Sequence, residues 1–306
     1  MAFDHETELA GRPLVPYEPG QPPGDLSRIG LDVGLFGEDG GEDKDCGPYL
    51  EALLAEPWAD AIEVISLGWN AYSGTPDMGY LLKVLIQGVR RLPRLTHLLV
   101  GNMGQDECEV SWIGQSDDYG PLLAAFPRLE TLWIRGMTPT IRCSGHAGLK
   151  TLIMQSGGLG GAAVRQIAAA DLPALETLEL WFGVQNYGGD ATLEDVRPIL
   201  AGDRLPRLRR LALVNLTEDE PGRLAETIPL ALADAPILTR LEELDLRGST
   251  PSERVVQALA RTPAVRTLPR LRLGYEEFSR NSLRPPPAPV PGLDNVVFEP
   301  FVIVSE

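Results

Sequence analysis

The sequence contains little cysteine and little histidine for its length. Three cysteines occur in 306 residues, and Cys46, Cys108 and Cys143 lie far apart with no CxxC spacing. A disulfide framework needs paired cysteines and a structural zinc site needs clustered ligands, so neither is predicted. The three histidines form no HExxH motif, and GxSxG is also missing. A metalloprotease or an α/β-hydrolase therefore has no support in the sequence.

Positive charge is scarce as well. The formal net charge is −16, and lysine occurs only at Lys44, Lys83 and Lys150. Nucleic acids and anionic membrane surfaces bind proteins through a local excess of lysine and arginine, so we expect neither as a partner. Arginine carries most of the basic character, which suits hydrogen-bonded contacts with carboxylates.

Long apolar runs are missing too. Charges or prolines interrupt every apolar stretch before it reaches the about 20 residues of a membrane helix. The first eleven residues are acidic and lack the apolar core of a signal peptide. From these features we expect a cytoplasmic protein.

A motif with apolar residues at its first, fourth and sixth positions recurs along the chain. Clear copies begin at Leu95, Leu129, Leu149, Leu175, Leu208, Leu241 and Leu268. Another begins at Ile62, and weaker matches are Leu26/Ile29/Leu31 and Leu293/Val296/Phe298. Successive copies start 20 to 36 residues apart, which is the spacing of repeated strand-plus-helix units in a solenoid.

Apolar residues at three- and four-residue steps predict a helix in most units. The predicted helices are 49–54, 80–91, 121–125, 162–170, 193–200, 222–233 and 252–260. Prolines follow several of them, where a proline prevents continuation of the helix. The unit at 144–157 starts only 20 residues after its predecessor and has no room for a full helix. The pattern predicts an α/β solenoid with helices on one side of a curved parallel sheet of about nine strands.

The LxxLxL series with helix-length insertions resembles the leucine-rich repeat superfamily, and its periods are most similar to the ribonuclease-inhibitor-like branch. The resemblance covers roughly residues 26 to 304 and implies a horseshoe with a concave sheet and convex helices. The family's ninth-position Asn or Cys is met only at Asn70, while Asn102 and Asn215 lie one position early. The arginine-rich composition is also similar to bacterial leucine-rich repeat proteins that have no assigned biochemical role.

Three regions are predicted from these patterns. Residues 1–25 form an N-terminal arm or cap, 26–275 the solenoid, and 276–306 a proline-rich spacer with a strand that caps the sheet. An acidic loop at 37–45 has the hard oxygen ligands of a calcium loop but lacks the EF-hand order, so a solvated turn is the simpler interpretation.

One motif favours a different function. Residues 158–163 form a GxGxxA sequence after a predicted strand, and Glu179 lies 21 residues after Gly158. This spacing is typical of a dinucleotide-binding turn, in which helix-start amides hold a pyrophosphate. The strands on both sides are ordinary repeat units, however, and Glu179 lies in the middle of its strand, so a tight strand-to-helix turn is the simpler explanation of the glycines.

The outward positions three, five and seven of each strand are where we expect a binding site, because strand side chains alternate between faces. Aromatic residues beside arginine are typical of interface hot spots, and the middle of this face offers two tryptophans. The candidate partner-binding residues are Trp133, Arg135, Ile153, Gln155, Glu179, Trp181, Asp245 and Arg247.

These observations favour a non-enzymatic module that binds a partner protein on its concave sheet, with no cofactor and no metal. A first alternative is a regulator of a partner enzyme that positions the partner's own residues, as a GTPase-activating protein does. A second alternative is a nucleotide-binding enzyme that uses the turn at 158–163. Whether the N-terminal arm covers the concave face stays open at the level of sequence.

Overall fold

The fold is built on one long sheet flanked by helices. The computed structural model describes residues 4–34, 46–68, 78–104, 110–113, 118–137, 139–216, 224–248, 251–276 and 293–301. Twelve strands within these ranges form a sheet whose spatial order follows the chain. Only β1 and β2 pair antiparallel, and all other neighbours are parallel. The strands are β1 Glu8–Leu9, β2 Arg12–Pro16, β3 Gly30–Val33, β4 Val64–Leu67, β5 His97–Val100, β6 Thr131–Arg135, β7 Thr151–Gln155, β8 Thr177–Trp181, β9 Arg210–Val214, β10 Glu243–Leu246, β11 Arg270–Glu276 and β12 Val296–Phe301.

The ten motif copies correspond to the ten strands β3 to β12. The sheet is wider than the predicted nine or so strands because each weak terminal copy also forms a strand and the N-terminal residues add β1 and β2. Fourth-position residues lie side by side across the parallel strands, as expected of a repeat in register. Each copy of the sequence motif therefore forms one strand of the sheet.

The first copy of the motif is misaligned in the sequence prediction. The structure pairs Leu31 with Ile65 and Val33 with Leu67, so Leu31 occupies the fourth position rather than the sixth. The copy thus begins at Arg28, two residues after Leu26. Strand side chains repeat every two residues, so the error leaves each residue on its predicted face.

All seven predicted helices are present, with bounds shifted by at most three residues except at the end of the second. The helices are α1 Cys46–Ala55, α2 Met78–Gln87, α3 Gly120–Ala125, α4 Gly161–Ala169, α5 Leu193–Ala201, α6 Leu224–Leu232, α7 Glu253–Arg261 and the unpredicted α8 Pro263–Arg266. The second prediction extends to residue 91 because a 3-10 turn, Val89–Arg91, follows α2. Between β6 and β7 the described residues contain no helix, as the short spacing of that unit predicts.

The hydrophobic core lies between the sheet and the helices. Fourth- and sixth-position residues such as Leu98 and Val100 join helix residues such as Leu85 in one buried cluster. Fully burying a leucine side chain contributes about 2 kcal/mol, so this layer supplies most of the apolar stabilisation. We call this side of the sheet the helical face, and the side with positions three, five and seven the outward face.

The N-terminal residues form a hairpin that is continuous with the sheet. Strand β2 pairs in parallel with β3, and β1 turns back on β2 through Ala10 and Gly11. Both turn residues have a positive φ, at 53° and 76°, which is the geometry of a tight hairpin turn whose twist matches that of the strands. The segment before this turn, residues 4–9, crosses the outward face and is called here the N-terminal segment.

Several predictions fall on other parts of the chain. Four of these predictions lie outside the described residues: the acidic loop 37–45, Asn70, Cys108 and the proline-rich stretch 284–292. Within the described ranges, Cys46 and Cys143 are free thiols and no group of three metal-ligating side chains occurs. No helix in those ranges has the length and apolarity needed to cross a membrane.

Candidate functional site

The outward face carries one continuous row of fifth-position side chains. In strand order from β3 to β12 they are Asp32, Ser66, Leu99, Trp133, Ile153, Glu179, Ala212, Asp245, Arg272 and Val297. The first three are buried, although they point away from the helices. Ile153 and Glu179, in the middle, keep part of their surface exposed. The N-terminal segment covers the first three, whereas Asp245, which is 3% exposed, is covered by arginine side chains on the last strands.

Backbone groups of the N-terminal segment are held by Asn102, which follows β5. The amide N–H of Glu6 donates to Asn102 Oδ1 at 2.8 Å, and Asn102 Nδ2 donates to the Glu6 carbonyl oxygen at 3.0 Å. Asn102 Nδ2 also lies 2.8 Å from Ser66 Oγ, which fixes the orientation of the amide. Asn102 thus pairs with both backbone hydrogen-bonding groups of one residue in an extended segment.

Arg135, at the end of β6, binds the same segment through charge. Its side chain is fully buried, and Nη2 donates to Glu6 Oε1 at 2.8 Å while Nη1 donates to the Asp4 carbonyl oxygen at 2.9 Å. Burial raises the pKa of Glu6 overall, although the Arg135 guanidinium opposes this shift. The sequence predicts Arg135 at an exposed partner surface, but the structure places its guanidinium beneath residues of its own chain.

An apolar contact completes the attachment. Leu9 packs with Val64 and Leu99 in a buried cluster on the outward face, and Leu14 and Trp133 border this cluster. It is separate from the main core and depends on the hairpin for one of its members. The N-terminal segment therefore combines backbone pairing, an ion pair and an apolar anchor within six residues.

A hydrogen-bonded chain runs from Arg135 into the middle of the face. Gln155 Oε1 accepts from Arg135 Nε at 2.8 Å and from Trp133 Nε1 at 3.0 Å. The guanidinium carbon also lies 5.6 Å from the Trp133 ring centre, within the range of a cation–π contact. Trp133 is only half-buried, whereas Gln155 is 5% exposed. Of these three predicted partner-binding side chains, Trp133 alone keeps an appreciable exposed surface.

Glu179 is the next member of this chain of contacts. Its Oε1 accepts from the Trp181 indole N–H at 2.6 Å, and the Gln155 side chain also faces this carboxylate. Burial raises the pKa of the Glu179 carboxyl, since protein surrounds the carboxylate even though the side chain keeps some exposure. Trp181 itself is only 3% exposed, so its ring is largely covered.

Arginine and acid side chains alternate on the last three strands. Asp245 pairs with Arg247 at 2.8 Å and with Arg272 at 3.0 Å. Both arginines also bind Glu299 of β12. These four residues form a cross-strand arginine cluster that joins β10, β11 and β12. The hydrogen bonds are charge-assisted and hold each guanidinium in a fixed orientation.

Two further arginines, which are more exposed than those of the cluster, lie beside it. Arg210 on β9 and Arg270 on β11 lie on either side of Glu243, each with its guanidine 4.0 Å from that carboxylate. Their side chains are 64% and 61% exposed. At this distance and exposure the pairs contribute little stability, so both guanidiniums remain accessible for a partner's carboxylates.

The glycine turn at 158–163 has few open amides. Gly158 N–H donates to Ser156 Oγ at 3.1 Å, Leu159 N–H to the Phe182 carbonyl at 2.7 Å, and Gly161 N–H to Asp190 Oδ1 at 2.7 Å. A pyrophosphate at a helix start requires such amides, and here a carboxylate already occupies the position. Gly158 also approaches the Tyr187 carbonyl too closely for any Cβ. The geometry fits a packed strand-to-helix turn.

Sequence reasoning missed several residues of the outward face. Asn102 and Asp32 are not among the predicted partner-binding residues, and Glu6 and Glu299 belong to the segments predicted as an arm and a cap. Each contacts a residue far away in the chain, such as Arg135 with Glu6 across 129 positions. The sequence signal for Asp32 was a charged side chain on the outward face of a strand, next to strands that carry Ser66 and Leu99 at the same position.

The chain is similar to known proteins in structure but matches no family model or curated sequence. Among solved structures, a Bacteroides fragilis protein studied by the Northeast Structural Genomics Consortium is similar, with a TM-score of 0.66 and 26% sequence identity. The match covers 74% of this chain and 63% of that one, so this chain spans less than two thirds of its structural neighbour. The likeness concerns the α/β architecture and carries no activity to this chain.

Proposed function

We propose that this chain is a leucine-rich repeat protein of the ribonuclease-inhibitor-like kind and binds a partner protein on the outward face of its sheet. The support for the family is the apolar motif, complete on the nine strands β4 to β12 and lacking only its first apolar residue on β3, in parallel strands aligned in register. In this proposal the outward face is the concave surface of a horseshoe, and the helices lie on the convex side.

A parallel sheet with one open face carries this proposal. Parallel sheets normally have both faces covered by other elements. Here the described helices pack on the helical face, and the N-terminal segment covers only the first strands of the other face. From β7 to β11 the outward face retains Ile153 and Glu179 as partly exposed groups and Arg210 and Arg270 as exposed ones. A partner would supply the missing layer.

The character of this surface favours a polar contact with an acidic partner segment. Arg210 and Arg270 offer guanidiniums that can bind carboxylates in a bidentate manner. The arginine cluster beside them is preorganised, so few side chains need to be ordered on binding. Trp133 and Ile153 would provide apolar contact at one edge. Trp181, predicted as an anchor, is too covered to fill a partner's pocket without a rearrangement.

The proposal is tested by reversing the charge of the two exposed arginines. We would immobilise the wild-type protein and an Arg210→Glu/Arg270→Glu variant, expose both to lysate of the source cells, and identify retained proteins by mass spectrometry. A protein held by the wild type and lost by the variant is the expected result.

A charge-matched control separates this surface from the overall charge. Arg261 and Arg266 are exposed on α7 and α8, on the helical side of the sheet, so an Arg261→Glu/Arg266→Glu variant changes the net charge equally. It should retain the same partner as the wild type. Loss of the partner from both variants, or from neither, would contradict binding on the outward face.

A further inference from the structure

We propose that the groove now filled by the N-terminal segment is a recognition site for an extended acidic peptide of another protein, of the pattern Glu-x-x-Leu. The groove lies over β4 to β6 and is lined by Asn102, Arg135 and the apolar pair Val64 and Leu99. This inference stands independently of the partner proposed for Arg210 and Arg270.

The contacts in the groove are those of peptide recognition. Asn102 binds the N–H and the carbonyl oxygen of one backbone residue, a pairing that any extended segment can make. Arg135 then selects a carboxylate at that same residue, and the apolar cluster selects a leucine three residues later. Backbone pairing gives affinity, and the two side-chain contacts give specificity.

Departure of the N-terminal segment from the groove breaks the ion pair between Arg135 and Glu6. Arg135 would lose the Glu6 carboxylate and the Asp4 carbonyl oxygen, two of the groups that its guanidinium binds. Arg135 is fully buried, so the loss of the close Glu6 carboxylate is costly. Another carboxylate in the same place would remove that cost, so the vacated groove attracts an acidic ligand.

Exchange of the N-terminal segment is favoured by its short strand pairing and its strained turn. Strand β1 has two residues, and its register with β2 contains only two residue pairs. Ala10 in the connecting turn has φ 53°, a left-handed conformation that is unfavourable for a non-glycine residue. The N-terminal segment competes with an added peptide for the groove at an effective concentration on the order of millimolar. An added peptide therefore binds measurably once the contacts of the N-terminal segment with the groove are weakened.

The test uses full-length protein and a labelled peptide. Fluorescence anisotropy would measure binding of a fluorescein-labelled peptide with the sequence of residues 4–12, DHETELAGR. A Glu6→Ala/Leu9→Ala variant removes two contacts of the tethered segment and keeps every side chain that lines the groove. We expect it to bind the peptide at least about tenfold more tightly than the wild type does, because the internal competitor is lost.

Two controls keep the result interpretable. A peptide with alanine in place of both its glutamate at the Glu6 position and its leucine should bind this variant at least about tenfold more weakly, since it lacks the carboxylate and the apolar anchor. An Ala10→Asn variant should bind the DHETELAGR peptide more weakly than the wild type, because asparagine tolerates the turn and strengthens the internal competitor. This second variant removes no contact and is expected to fold.

The outcomes decide the proposal. Preferential binding of DHETELAGR, in the order weakened variant, wild type, Ala10→Asn, supports a peptide-recognition groove. Equal binding of both peptides, or no binding by a weakened variant that still unfolds cooperatively, overturns it and leaves the N-terminal segment as a fixed cap. A wild-type dimer in sedimentation that dissociates when Glu6 and Leu9 are replaced overturns the external ligand in favour of segment exchange between two copies.

Discussion

Arg135 connects the two halves of the outward face. It holds the N-terminal segment on one side and Gln155 on the other, and Gln155 leads on to Glu179. A buried guanidinium of this kind is stable only while its donors are satisfied, so its neighbours are constrained in turn. The polar side chains of the face act as a network rather than as separate surface groups.

Replacement of Arg135 should therefore reduce stability strongly. We expect Arg135→Ala to lower the free energy of unfolding by about 3 kcal/mol, because Glu6 loses its counter-charge and Gln155 loses a donor. Urea denaturation measures the change. Arg128→Ala, at an exposed position before the same strand, should stay within about 0.5 kcal/mol of the wild type. Equal effects at both positions would show that Arg135 has no special role.

Glu179 should make stability depend on pH in a defined direction. Burial raises the pKa of this carboxyl in the folded protein above the ordinary value of 4.5. The folded state then binds the proton more tightly, so the stabilisation is complete below 4.5 and is lost as the pH rises through the folded pKa. We expect the wild type to gain unfolding free energy relative to Glu179→Gln as the pH falls from neutral towards 4.5. A difference that does not vary with pH would contradict this account.

The sequence predicts on which side of the sheet these outward side chains lie, but it does not predict which of them other parts of the chain bury. Strand alternation places Trp133, Glu179 and Asp245 on the outward face, and the structure confirms that placement. The burial of Arg135 depends on a segment 129 residues earlier that has no periodicity of its own. No local pattern reports such a long-range contact.

At the level of elements, the hairpin turn offers a direct test of backbone strain. Ala10 and Gly11 both have positive φ, and the favoured pair for such a turn is Asn-Gly. We expect Ala10→Asn to raise the unfolding free energy by about 0.5–1 kcal/mol, and Gly11→Ala to lower it by about 1 kcal/mol. No atom lies within 4 Å of a Cβ added at Gly11, so the second effect isolates conformation from packing. Thermal denaturation of both variants should show opposite shifts.

The strands and helices follow from sequence for simple physical reasons. Apolar periodicity and the prolines after several helices fix seven of the helices to within a few residues, apart from the 3-10 extension after α2. The short helix α8 starts at Pro263 directly after α7 and has too few residues to show a period. The misaligned first copy arises because Arg28 stands where the motif expects leucine, and the nearby Leu26 fits the pattern two residues early.

At the scale of the whole molecule, most contacts join neighbouring units only. Strand pairs follow chain order, and most helices pack on the next one, with α3 and α4 as the exception. In such a chain, stability is approximately the sum of local terms. The N-terminal segment is an exception, since it contacts Asp32 on β3, Asn102 after β5 and Arg135 on β6. It therefore acts as a clamp across four strands.

Release of this clamp should loosen one half of the molecule and spare the other. In a Glu6→Ala/Leu9→Ala variant, we expect faster amide hydrogen exchange in β3 to β5 and unchanged exchange in β8 to β10. Local opening free energies fall only where contacts are lost, and the arginine cluster still joins β10, β11 and β12. Exchange followed by mass spectrometry gives this comparison for each strand. Equally faster exchange in β8 to β10 would show that the sheet opens as one cooperative unit and that the segment stabilises the whole molecule.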